Sequence, residues 1–219
     1  DYQVKDIAYS LNGASFSLVT KEAEYKVNSP LLGHFNIENL VAALISVEQA
    51  GFALADLIAT APQLKGAPGR MQVIRDDERL FVVDYAHTPD ALIQVLQTLK
   101  RHVAQDLWAV FGCGGDRDRG KRPLMTQAAL QGADIALLTS DNPRTEDPEQ
   151  IFSDMKAGLD FSQHCVHEIH DRREAIKFAI KHAKAGDIVV IAGKGHENYQ
   201  EINGVRHWFD DVVEVQAAL

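Results

Sequence analysis

Four short segments of this 219-residue chain concentrate side chains able to hold anions and ammonium groups. They are Asp84-Tyr85-Ala86-His87-Thr88-Pro89, the glycine- and arginine-rich loop 112–123, Asp141-Asn142-Pro143-Arg144, and Gly193-Lys194-Gly195-His196-Glu197. Arg117, Arg119, Lys121, Arg122, Arg144 and Lys194 would together draw anions. Arginine favours planar carboxylates or phosphates, because its fork makes two parallel hydrogen bonds. Asp141 and Glu197 supply the opposite charge, suited to an ammonium. A ligand bearing both charges, such as an amino acid with an extra carboxylate, fits this inventory. Scattered basic loop residues are usually only solvated, but here each group follows an apolar run that reads as a strand, which favours a binding site.

Other chemistries fit less well. Residues 115–121 have the G-x-x-x-x-G-K spacing of a phosphate-binding loop. Arg122 stands where the magnesium-binding hydroxyl belongs, however, and Asp116 and Asp118 would repel phosphate inside the cradle. The G-x-G-x-x-G dinucleotide fingerprint fails at Arg117, which argues against a dehydrogenase. His164, Cys165, His167 and His170 are close in sequence, but strand alternation sends them to two faces, so four converging metal ligands are not expected. Cys113 has no evident histidine partner and reads as a buried thiol.

The elements that must position these residues follow from hydrophobic pattern. Residues 4–9, 15–20 and 24–28 read as strands, with Asn12-Gly13 as turn chemistry, and 37–49 and 53–64 read as helices. The segment 65–69, Lys-Gly-Ala-Pro-Gly, breaks the pattern and marks a domain boundary, giving domains 1–68 and 69–219. Beyond it, strand-like runs at 80–83, 107–111, 135–139, 166–169 and 188–192 alternate with amphipathic helices. That alternation predicts an α/β fold, a mostly parallel sheet with helices on both faces. Thr88-Pro89 caps a helix carrying Leu92, Val95, Leu96 and Leu99 on one face. Asp147 and Asp171 each precede Gln or Glu by three residues, the capping-box pattern. Asn203-Gly204 reads as a late hairpin. In open parallel sheets ligands bind beyond the carboxyl ends of the strands, which is where all four segments fall.

Composition sets outer limits. A hydrophobic content of 46% suits a globular core, and a net charge of −9 disfavours nucleic acid as a partner, since a polyanion requires a basic stripe. No run approaches the roughly 18 apolar residues of a membrane span, and no signal peptide is legible, so neither membrane partner nor secretion is expected. With two cysteines and no disulfide framework, a cytoplasmic location is the expectation.

Taken in order, Gly33-His34-Phe35-Asn36-Ile37-Glu38-Asn39, Gly69-Arg70-Met71 and the four segments above resemble the Mur ligase family of cell-wall amino-acid ligases. Asp-Asn-Pro-Arg resembles the form found in members that add meso-diaminopimelate. The resemblance implies a Rossmann-like carboxyl-terminal domain preceded by the tail of a central ATP-binding domain. It implies an ATP- and Mg2+-dependent ligase joining meso-diaminopimelate to UDP-N-acetylmuramoyl-L-alanyl-D-glutamate through an acyl phosphate. Asn36, Asn39, Arg70, Asp84 and His87 would then meet ATP. Arg117, Asp141, Asn142, Arg144, Gly193 and Glu197 would hold diaminopimelate. The family's phosphate loop, magnesium-binding glutamate, modified lysine and UDP-binding domain are not in this sequence, and no catalytic residue or metal site is assigned within it. The chain, which opens on Asp1, therefore reads as part of a longer enzyme, inactive by itself. An L-lysine-adding ligase is the alternative within the family. A non-catalytic module binding an acidic amino acid or a nucleotide is the alternative outside it.

Overall fold

The computed structural model describes residues 2–219, which pack as two compact units parting between Gly66 and Ala67. In the first, β1 (Gln3–Ser10), β2 (Gly13–Val19) and β3 (Glu24–Ser29) form an antiparallel meander. Ser10 pairs with Gly13, so the turn sits on Leu11 and Asn12, one residue earlier than the Asn-Gly signal suggests. Phe16, Leu18 and Val27 are buried against Ile37, Leu40 and Leu44 of α1 (His34–Gln49) and Leu54 of α2 (Leu54–Thr60). α1 starts at His34 rather than at the predicted residue 37. Gly33, at φ 95°, turns the chain into the helix, and Asn36 Nδ2 donates to the Leu32 carbonyl at 2.7 Å. α2 gives way to a 3-10 turn at Ala61–Gln63, where Pro62 has no N–H to continue the ladder.

The second unit is a six-stranded sheet in the order β4-β5-β9-β6-β7-β8. Its strands are β4 (Gln72–Asp76), β5 (Arg79–Asp84), β6 (Leu107–Phe111), β7 (Ile135–Leu138), β8 (Cys165–Glu168) and β9 (Ile188–Ala192). All neighbours run parallel except β4, an edge strand paired antiparallel with β5. β4 has no counterpart among the predicted strands. Its charged stretch from Arg75 to Arg79 hides the pattern, and an edge strand needs only partial burial. Between the parallel strands run α3 (Pro89–Lys100), α4 (Lys121–Gly132), α5 (Pro148–Lys156) and α6 (Arg172–His182). A hairpin, β10 (Tyr199–Ile202) and β11 (Val205–Trp208), and α7 (Asp211–Ala218) complete the chain.

Alternation divides the core. Phe81, Val83, Trp108, Val110, Leu137, Val189 and Ile191 face α6 and α7, while α3 and α4 pack on the sheet separately from them. The predicted caps form: Thr88, Asp147 and Asp171 accept from the N–H groups of Ala91, Glu149 and Glu174. The reciprocal half of each capping box goes elsewhere, because the Gln150 and Glu174 side chains turn to Asp154 and Lys177. The histidine and cysteine group divides as well. His167 packs near Trp108 and Phe178, whereas His170 stacks on Phe152 and bonds Glu168.

α7 is tied to the sheet by a fully buried ion pair. Arg172 Nε and Nη2 each lie 2.8 Å from an oxygen of Asp211, and Nη2 also donates to the Ala192 carbonyl at 3.0 Å. That carbonyl closes β9, directly before Gly193. Removing one partner of such a pair strands the other charge. Asp211→Asn is expected to cost about 3–5 kcal/mol in the urea unfolding free energy. A change near zero would show that the pair does not hold this end of the sheet.

Candidate functional site

The strand order decides where the four loops meet. β6, β7 and β8 step outward in one direction, while β9 returns to lie between β5 and β6. The carboxyl ends of β5, β9, β6 and β7 are consequently adjacent, and the segments after them enclose a cleft of about 430 Å³. Arg117, Asp141, Asn142, Arg144, Gly193, Glu197 and His87 all line it.

Two loops are zipped together at its rim. Gly115 N donates to the Asn142 carbonyl at 2.9 Å, and Arg144 Nη1 donates to the Gly115 carbonyl at 2.8 Å. Asp116 accepts from the backbone and hydroxyl of Thr145, so it clasps a neighbouring loop rather than facing a phosphate. At Gly115 a Cβ would come within 1.9 Å of the Pro143 carbonyl oxygen, so only glycine permits this approach. Arg122, 1% exposed, donates to Glu146, Asp154 and the Gly114 carbonyl, which anchors loop 112–123 to α5. Arg122 therefore occupies the phosphate-loop hydroxyl position for a structural reason.

These contacts correct the cationic inventory. Arg119 is paired with Asp154, Arg122 with Glu146 and Asp154, and Lys194 with Asp141. Arg117 and Lys121 have no ion-pair or hydrogen-bond partner for their side chains among the described residues, and Arg144 spends one of its N–H donors on Gly115. The Arg144 backbone is held at φ 54°, its N–H bonded to the Glu201 carbonyl at 2.9 Å and its carbonyl accepting from Asn203 N at 2.6 Å. Beyond Pro143 and the capped α5, the late hairpin thus fixes this arginine.

Beneath the cleft Lys194 is completely buried. Its Nζ lies 3.1 Å from Asp141 Oδ1, 3.0 Å from Asn142 Oδ1 and 2.8 Å from the Tyr199 carbonyl. Asn142 Nδ2 in turn donates to Glu197 Oε2 at 3.2 Å. Gly193, at φ 118°, donates its N–H to the Asp84 carbonyl at 3.0 Å, a conformation that a side chain would strain. Burial, reinforced by Asp141 and opposed by Arg122, pushes the Cys113 thiol up to about 12, so it stays protonated.

The residues expected to meet ATP are divided between the two units. Asn36 and Asn39 lie on α1 of the first unit. Asp84 is buried, and its carboxylate accepts from Met71 N and Ala86 N, both at 2.8 Å, so it shapes the backbone. Arg70 lies 4.8 Å from the centre of the Tyr85 ring, and His87 meets the same ring edge-on at 4.6 Å. Neither Arg70 nor Asp84 lines the cleft. Lys121, named among the anion-drawing cations, does line it, and Tyr85, Thr88, Cys113, Met125 and Tyr199 line it without having been given a ligand role from sequence. Tyr199 belongs to a strand legible only as half of a hairpin, and Met125 lies one turn into α4 after Lys121; a helical-wheel reading from Lys121 would have suggested Met125.

The family model for the Mur ligase glutamate ligase domain matches residues 69–195, and that for the Mur ligase middle domain matches 1–47. The UDP-N-acetylmuramoyl-L-alanyl-D-glutamate–2,6-diaminopimelate ligase of Pseudomonas putida is 48% identical, covering 98% of this chain and 43% of its own length. The like-named protein of Geobacillus thermodenitrificans is 43% identical, covering 100% and 45%. A solved structure of a ligase of the same name is 77% identical, with TM-score 0.87, over 100% of this chain and 45% of that one. A folylpolyglutamate synthase from Thermotoga maritima shares the fold, at 20% identity and TM-score 0.66 over 88% of this chain and 43% of its own. The chain spans less than half the length of the curated relatives it matches.

The rim zipper should be sensitive to acid. The Arg122 hydrogen bonds hold the Glu146 carboxyl at about 2, and Arg119, with help from Gln150 and Arg122, holds Asp154 at about 2. Folded values below the ordinary 4.5 and 3.8 mean that both groups stabilise the fold above those values. Their contribution is lost as pH falls toward about 2. In thermal unfolding, the melting-temperature gap between the parent and Glu146→Gln should be full above about pH 5 and should narrow toward about pH 2. A gap independent of pH would remove Glu146 from this account.

Proposed function

This chain belongs to the Mur ligase family, and on that premise we propose that it is the carboxyl-terminal portion of an ATP-dependent ligase that adds meso-diaminopimelate to UDP-N-acetylmuramoyl-L-alanyl-D-glutamate. Residues 69–219 form the amino-acid-binding domain, and residues 1–68 the closing part of a central ATP-binding domain. The supporting observation is one cleft that places the unpaired guanidinium of Arg117 and the fixed guanidinium of Arg144 near the carboxylates of Asp141 and Glu197. One head group of diaminopimelate, carboxylate with ammonium, meets Arg144 on one side and Asp141 and Glu197 on the other, with Asn142 and Gly193 lining the seat. Arg117 takes a carboxylate. The second amine is then left to displace phosphate from the acyl phosphate of the muramoyl dipeptide. Catalysis of this kind is largely positioning and charge neutralisation.

On the nucleotide side this reading assigns Arg70 and His87, exposed beside Tyr85, within the second unit, and Asn36 and Asn39 of α1 within the first. Asp84 acts on that side through the backbone it holds. Among the described residues no three His, Cys, Asp or Glu side chains converge on a possible metal position. Mg2+ accompanying the nucleotide would take its ligands from other segments of the longer protein. A cytoplasmic location, where the nucleotide substrates are made, goes with this reading. No helix among the described residues is long and apolar enough to cross a membrane.

Arg144 should decide between diaminopimelate and lysine, which lacks the distal carboxylate. In the full-length protein, Arg144→Ala should lower kcat/KM for diaminopimelate roughly 30-fold to 1,000-fold, the worth of a lost charge-assisted pair, while changing poor lysine use far less. Arg144→Lys should rescue only in part, because an ammonium has no fork. Discrimination retained in Arg144→Ala would reassign the role to Arg117 or Glu197, and preferred use of lysine by the parent would favour a lysine-adding ligase. The isolated chain, whose 115–121 loop is tied to α5 and to Thr145, should hydrolyse no ATP above background in a phosphate-release assay. Measurable turnover by the purified chain would make that loop a working phosphate cradle.

A further inference from the structure

The Lys194 ammonium is the most completely buried charge at the cleft, and it touches more of the cleft's polar residues than any ligand-facing group does. Its Nζ donates to Asn142 Oδ1 and to the Tyr199 carbonyl and is ion-paired with Asp141 Oδ1 at 3.1 Å, an oxygen that accepts no hydrogen bond, while the nearest oxygen of Glu197 is 4.0 Å away. The charge count is uneven: two carboxylates share one internal ammonium. Lys194 sits closer to Asp141, whereas Glu197 is 23% exposed at its side chain and bonded by the neutral Asn142 amide. We infer that Lys194 is a positioning residue of this site, neutralising Asp141 from beneath and fixing Asn142 and Tyr199, so that one negative charge remains for one ligand ammonium. The inference rests on the reading of the cleft as the amino-acid site and adds the residue that sets its charge.

A lysine that merely filled the core would be replaceable by an apolar chain of similar length. Lys194→Met keeps the stem and removes the charge. It leaves Asp141 buried without its cation beside Glu197, and it removes one of the two donors to Asn142 Oδ1, the other being Glu201 N. Steady-state kinetics of the full-length protein should show KM for diaminopimelate raised on the order of 30-fold or more, with KM for ATP changed less than about threefold. Thermal unfolding should fall by about 5 °C or more. Adding Asp141→Asn removes the stranded carboxylate, so the double variant should regain much of the lost melting temperature while its KM for diaminopimelate stays high. Because Asp141 itself lines the cleft, the double variant is read against Asp141→Asn alone, which keeps the test decisive if Lys194→Met does not fold: a KM for diaminopimelate above that of Asp141→Asn is expected, and an equal one would overturn the role. A parent-like KM for diaminopimelate in either variant, or equal rises in both KM values, would overturn the positioning role while leaving the amino-acid reading intact. A parent enzyme that does not use diaminopimelate at all would overturn both.

Discussion

Moving an ammonium out of water costs several kcal/mol unless oxygen atoms take over its hydration, and Lys194 is fully buried. That constraint organises the cleft. The Asp141-Asn142 loop must lie where its side chains reach the ammonium, and the chain after Glu197 must return so that the Tyr199 carbonyl completes the shell. Once there, β10 presents Glu201, whose N–H bonds Asn142 Oδ1 and whose carbonyl accepts from Arg144 N. A single buried charge therefore couples the β7 loop, the β9 loop and the late hairpin, and through them sets the backbone of Arg144, which lines the cleft.

Around that centre the loops consume most of their own charge. Arg119, Arg122 and Lys194 meet carboxylates within the protein, and the cations left for a ligand are Arg117, Lys121 and Arg144. An acidic chain can in this way carry a locally basic cleft without a broad cationic field, which would attract anions indiscriminately. The left-handed backbone of Arg144 belongs to the same economy of placement. A non-glycine residue in that region costs of order 1–3 kcal/mol and persists where surrounding bonds over-determine it, as those from Glu201 and Asn203 do here.

The zipper of loops 112–123 and 141–147 explains a sequence that resembles a phosphate loop without being one. Glycine at 115 serves the close approach of Pro143, and arginine at 122 serves the anchor to Glu146 and Asp154. Both residue types recur in phosphate cradles for other reasons, namely backbone approach to an anion and direct charge. Only the partners distinguish the two uses.

The sequence by itself determined the alternation of strands and helices, the caps at Thr88, Asp147 and Asp171, and the placement of four polar segments after strands. Those features arise from contacts near in sequence and from the periodicity of burial. It also carried the residues of the cleft, because charged and amide groups after apolar strands are visible in one dimension. The tertiary structure decided the strand order, which inserts β9 between β5 and β6 and so makes the loops neighbours. It placed the edge strand β4 and the terminal α7, whose short or charged patterns give little periodic signal. It also sorted identical residue types into different duties: Arg122 became an anchor and Arg117 stayed free, Asp84 turned to the backbone and Asp141 to Lys194. The physical reason is that a charge's role depends on its nearest opposite charge and on its access to water. Across separations such as the 53 residues between Asp141 and Lys194, both are set by packing and not by the local chain.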